Sequence, residues 1–103
     1  MWAQLITMRI KPGNDERMAA LIERLRNSEQ PGSGLIRETA MRDRHDPSRY
    51  LMLVVFESEE KARARESDPR RAELLKDLSD TMKEIVDGAP EFVDLDVLSD
   101  MSH

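Results

Sequence analysis

Seven consecutive residues, Tyr50 to Phe56 (YLMLVVF), carry no charge. A strand with one face in water alternates apolar and polar positions. Here Tyr50, Met52, Val54 and Phe56 share one side, Leu51, Leu53 and Val55 share the other, and both sets are apolar. Any fold for this chain must therefore cover both faces of this segment. With 103 residues the chain has material for one domain, 1–103, and one core.

The flanking pattern supplies the other elements. Residues 2–10 alternate as a strand, with Trp2, Gln4, Ile6, Met8 and Ile10 on one face and Ala3, Leu5, Thr7 and Arg9 on the other. Pro12 and Gly13 end it, and Asn14 or Asp15 can cap the next element. Met18, Leu21, Ile22 and Leu25 recur at helical spacing within 15–28. Residues 35–43 read as an edge strand and 49–57 as the uncharged strand. Two helical pieces come next, 59–66 capped by Ser58 and 69–87 opened by Asp68-Pro69. The second carries Leu74, Leu75, Leu78, Met82, Ile85 and Val86 and ends at Gly88. A last strand spans 91–98, where Asp94 and Asp96 mark a partly wet edge.

The order β-α-β-β-α-β in one sheet is the ferredoxin-like α+β arrangement: four antiparallel strands, both helical segments on one face, strands one and three central. The helices then cover only one side of the uncharged strand. Leaving Leu51, Leu53 and Val55 in water forfeits roughly 1.5–3 kcal/mol per side chain. The closing SDMSH is short and polar, a poor lid. A second copy packed sheet to sheet covers both open faces at once, so a homodimer is expected, with Leu51, Leu53, Val55 and Trp2 at its interface.

Composition narrows the function classes. A net charge of −5, from 21 acidic and 16 basic residues, argues against a nucleic-acid partner. Without cysteine there is no disulfide, thiolate metal site or thiol nucleophile. No apolar run is long enough for a membrane span, and the amino terminus lacks the pattern of a signal peptide, so a cytoplasmic protein is expected. The two histidines, His45 and His103, stand in a turn and at the end of the chain, a poor basis for a zinc site. Gly32 and Gly34 precede a strand and form no phosphate loop.

MRIKPG at the end of the first strand and GLIRETAMRDRHDPSRYLMLVVFESEEKA resemble the antibiotic biosynthesis monooxygenase family of the dimeric α/β-barrel superfamily, and SDPRR occupies the place where that family commonly has a Ser-Pro-His stretch. The resemblance implies a dimeric α/β barrel with an apolar pocket between sheet and helices. It also implies either a cofactor-independent oxygenase of quinol-like or aromatic compounds or a haem-degrading enzyme. The haem-degrading relatives carry an Asn in strand one and a His and Trp on the second helix. This chain has none of them there, so haem degradation is set aside, and no metal or other cofactor is expected.

Within that frame the candidate residues each have two readings. Arg9, beside Thr7 on the first strand, can steady a substrate oxyanion or pair with a carboxylate at the rim. Tyr50 can present its hydroxyl to a pocket or be a core ring with a satisfied hydroxyl. Met41, Met52 and Met82, with Thr7 and Phe56, are candidates to line a pocket for a small apolar or aromatic ligand; core filling is the plainer role for methionine. Arg63, Arg65, Arg70 and Arg71 can attract an anion, but interleaved acids favour a solvated face. The alternative to an enzyme is a non-catalytic ligand-binding or stress-related protein of the same superfamily.

Overall fold

The computed structural model describes residues 1–103. Four strands, β1 (Trp2–Arg9), β2 (Leu35–Arg42), β3 (Arg49–Phe56) and β4 (Glu91–Asp96), alternate with α1 (Asp15–Asn27), α2 (Glu59–Glu66) and α3 (Pro69–Ile85) in the order β1-α1-β2-β3-α2-α3-β4. They form one antiparallel sheet in the order β2-β3-β1-β4. This is the ferredoxin-like α+β fold, with β1 and β3 central as the alternation requires.

The element ends differ from expectation by a few residues, each for a local reason. β1 stops at Arg9 because Ile10 leaves the sheet to bridge Val86. For the same reason α3 ends at Ile85: Val86 turns extended, at φ −88° and ψ 129°. β4 ends at Asp96 because Asp96 already opposes Trp2, the first residue of β1. Ser58 and Asp68 cap α2 and α3, accepting from the backbone N–H groups of Lys61 and Arg70. Asn14 occupies the N-cap of α1 without a side-chain cap; its amide instead donates back to the carbonyls of Lys11 and Pro12.

The even-numbered positions of β1 and β3 face the helices. Met8, Tyr50 and Met52 pack with Ile10, Met18, Leu21, Leu78 and Ile85 in one buried cluster, and Trp2, Val54 and Phe56 pack with Ala62 in a second. The opposite face carries Ala3, Leu5 and Thr7 of β1 opposite Val55, Leu53 and Leu51 of β3. Thr39, Met41, Val93 and Leu95 extend it onto the two edge strands. No helix lies over it, and the carboxy-terminal segment does not fold back as a lid: Leu98 stands 95% exposed. No helix is long and apolar enough to cross a membrane.

Candidate functional site

The helices cover the two central strands more closely than the edges, and a cleft opens between α1 and β2. Ile22, Glu23 and Arg26 form its helix wall, and Leu35, Glu38 and Ala40 its strand wall, around about 490 Å³. The volume suits a small ligand. The hollow has a sequence cause. A bulge between Leu35 and Arg37 leaves Ile36 unpaired and resets the alternation. Glu38 and Ala40 then oppose the helix-facing Val54 and Met52. Alanine at 40 is too small to fill the space up to Ile22, which flanks the apolar stripe of α1.

Beyond the carboxy-terminal end of α1, Arg65 of α2 clamps Glu29. Its Nε lies 3.1 and 3.0 Å from the two carboxylate oxygens and its Nη2 lies 2.7 Å from Oε1. The side chains are only 14% and 22% exposed. The guanidinium also stacks on Phe56, 5.3 Å from the ring centre. Burial pushes the Glu29 carboxyl up, but hydrogen bonds from Arg65 and Ser33 and the charges of Arg65 and Arg71 outweigh it and hold the carboxyl below its usual range. Arg71, on the first turn of α3, is half-buried beside this pair. Burial and the like charge of Arg65 lower its pKa against the pull of Glu29, Glu66 and Glu38.

Of the candidate catalytic and pocket-lining residues read from sequence, only Thr7 and Arg9 share a cavity, a small polar cleft of about 170 Å³ at the sheet end with Arg49, Asp87 and Glu91. Met52 and Phe56 are buried in the core. Met82 packs half-buried against it and edges a separate shallow cleft with Val86 and Pro90. Thr7 and Met41 flank Leu51 on the open sheet face. Arg9 lies at the sheet end, donating to Asp46 Oδ2 at 2.7 Å and Ser48 Oγ at 2.9 Å; the Asp46 hydrogen bond and charge raise its pKa. Tyr50 donates its hydroxyl to Asp15 Oδ1 at 2.8 Å. Burial, then this bond, raises its pKa and keeps it protonated.

Two placements correct expectations. Trp2, expected at the seam with Leu51, Leu53 and Val55, lies on the helix side of the sheet against Phe56, with Arg63 stacked 5.2 Å from its ring centre; β1 alternation, which puts Trp2 with Ile6 and Met8, forces this. Arg65 and Arg71, expected on a solvated face, are half-buried. The spacing carried the signal. Arg65 is three residues after the buried Ala62 and shares its face, and Arg71 heads the stripe of Leu75, Leu78, Met82 and Ile85. Interleaved acids masked both. Asp94, on the partly wet edge strand, accepts from Gln4 and Arg63.

The model of one protein family, described as antibiotic biosynthesis monooxygenase, matches residues 1–73. The chain belongs to the antibiotic biosynthesis monooxygenase family. Solved structures agree in fold. A protein of Nitrosomonas europaea named provisionally as an antibiotic biosynthesis monooxygenase superposes with a TM-score of 0.76 at 15% identity, covering 96% of this chain and 100% of its own. Rv0793 from Mycobacterium tuberculosis does so with a TM-score of 0.76 at 11% identity, covering 98% of each chain. A Chloroflexus aurantiacus protein with the same provisional name as the first reaches 0.71 at 21% identity, covering 99% of this chain and 98% of its own. At these identities the likeness speaks for the shared fold alone. No curated protein matches the chain. No group of three or more His, Asp or Glu side chains is gathered to hold a metal.

Proposed function

We propose that this protein is a monooxygenase-like catalyst whose α1–β2 cleft takes a small hydroxylated aromatic or quinol-type compound and oxidises it with O2, using neither metal nor flavin. The observation that carries this reading is the cleft itself: an apolar floor of Ile22, Leu35 and Ala40 with the Glu38 carboxylate on its wall, in a chain of this family. The apolar floor packs against the ring of the ligand. Glu38 accepts the proton that the substrate must lose before it becomes electron-rich enough to reduce O2. One electron then passes to O2, and the two radicals combine into a carbon-bound hydroperoxide. For a ring methylene this loses water and leaves a carbonyl, so CH2 and O2 become C=O and H2O with no outside reductant.

Two copies of the chain pack through the open sheet face in this reading. Leu51 and Leu53, with Leu5 opposite Leu53, form the centre of the contact; Val55, expected there with them, is already buried within the single chain. Oxygen consumption with a panel of quinols and anthrones tests the activity. Turnover that falls at least about a hundredfold in Glu38→Gln, the loss typical of a missing acid–base group, supports it. Binding without oxygen consumption favours the second reading, a non-catalytic ligand-binding protein. That reading draws on the fact that Arg65 and Glu29 are already satisfied by each other.

A further inference from the structure

We propose that a recess at the α2–α3 junction binds a phosphate group, either inorganic phosphate or the terminal monoester of a larger molecule. Lys61, Ala64 and Arg65 of α2, Asp68 and Arg70 at the start of α3, and Gly32 and Ser33 of the loop before β2 bound about 110 Å³ there. The recess shares no lining residue with the α1–β2 cleft and stands whether or not that cleft holds a ligand. Three cationic side chains and one carboxylate line it. Both oxygens of that carboxylate, Asp68, are already engaged by Arg70.

The ion pairs of these cations leave donors over. Arg65 uses Nε and Nη2 on Glu29, and Arg70 uses Nε and Nη2 on Asp68. In both, Nη1 meets no protein acceptor. Each guanidinium is thus held in place by a carboxylate on one edge and keeps the N–H groups of Nη1 for a ligand. No sealed side-chain nitrogen or oxygen lacks a partner, so Nη1 of Arg65 opens to solvent although the side chain is only 14% exposed, and the recess is a cavity that Arg65 lines. Lys61 donates to Glu57 in an exposed pair, which is worth little and leaves further N–H groups on the ammonium. Its stem runs so close to the loop that a Cβ on Gly34 would meet Lys61 Cδ at 2.7 Å, which keeps the ammonium beside the recess. Donors from three side chains on two helices suit a tetrahedral oxyanion, and the excess of positive charge suits a dianion. In a phosphate loop a glycine-rich turn leads into a helix and its backbone holds the ligand; here side chains supply the donors, and Gly32-Ser33 closes one wall.

Calorimetric titration of the native chain with inorganic phosphate and with phenyl phosphate tests this, at about pH 8, where both are dianions, and at ionic strength held constant with chloride. Saturable binding of one phosphate per chain is expected, with a Kd of about 1 mM or tighter. Arg70→Gln and Lys61→Gln each weaken it about tenfold or more, the scale of a hydrogen bond to a charged group. Glutamine at 61 keeps the stem that lies along Gly34. Both side chains are exposed, so both variants retain the native melting curve by circular dichroism. Arg44 is an exposed arginine between β2 and β3, and Arg44→Gln leaves the affinity unchanged. Tighter binding of phenyl phosphate assigns the site to a phosphate monoester, and equal affinity assigns it to free phosphate. No saturable heat up to about 10 mM phosphate, an affinity untouched by either recess variant, or an equal loss in Arg44→Gln overturns the site.

Discussion

Arg65→Ala opens the clamp and leaves Glu29 as an enclosed carboxylate without its cation. Breaking a fully buried pair costs about 3–5 kcal/mol. Here both side chains keep some water contact, at 14% and 22% exposure, and Arg71 stays within electrostatic reach of Glu29, so about 2–3 kcal/mol is expected. The lost stacking on Phe56 adds roughly 0.5–1 kcal/mol. At a slope of about 1.5–2 kcal/mol per molar urea, the combined loss of about 3 kcal/mol moves the unfolding midpoint down by roughly 1.5–2 M. Urea titrations at fixed protein concentration, followed by circular dichroism and Trp2 fluorescence, measure it.

The pH dependence gives a second, independent check. In the native protein Glu29 is held below its unfolded pKa of about 4.3. Its stabilisation is therefore complete above that pH and is lost as pH falls through the lowered value. In Arg65→Ala the burial of Glu29 is no longer answered by its clamp and the folded pKa rises. The charged carboxylate then costs stability at pH 7, and that cost vanishes as pH falls through the raised value. The gap between native protein and variant must narrow between pH 7 and pH 4. Arg65→Met with Glu29→Leu restores stability to within about 1 kcal/mol, since an apolar pair of similar volume replaces an ion pair at little loss. A gap under about 0.5 kcal/mol, or one constant from pH 7 to pH 4, refutes the reasoning.

Leu53→Asp places a charge at the centre of the open face, opposite Leu5 and Thr39; in analytical ultracentrifugation the native chain should sediment as a dimer, as proposed, and the variant as a monomer, and an unchanged sedimentation coefficient counts against packing through this face. Gly34 adopts φ +82°, and a Cβ there meets Lys61 Cδ at 2.7 Å and Lys61 Cβ at 2.8 Å, whereas Gly13, also at φ +82°, has open space around it. Gly13→Ala should therefore cost about 1–2 kcal/mol for the left-handed backbone alone, and Gly34→Ala measurably more in the same urea assay. Equal losses mean that the approach of Lys61 carries no weight.

The order of the elements, the breaks at Pro12-Gly13 and Asp68-Pro69, and the central place of the uncharged strand are legible in the chain alone. They come from backbone rules and from periods of two and 3.6, which act within a few residues. The uncharged second face of β3 is legible too, because alternation settles which side chains point together whatever covers them. The cleft and its charges arise only when the elements pack. Ile22 and Ala40 lie 18 positions apart, and the space between them depends on how α1 crosses the edge strand after the bulge at Ile36. Arg65 and Glu29 are 36 residues apart, and nothing local tells that guanidinium to choose this carboxylate over the nearer Glu60, Glu66 or Asp68. Helical spacing places Arg65 and Arg71 on inward faces. Which acid each meets, and which guanidinium is left without one, depends on where three helices and a strand edge come to rest, because charge pairing acts over a few ångströms of space and is blind to distance along the chain.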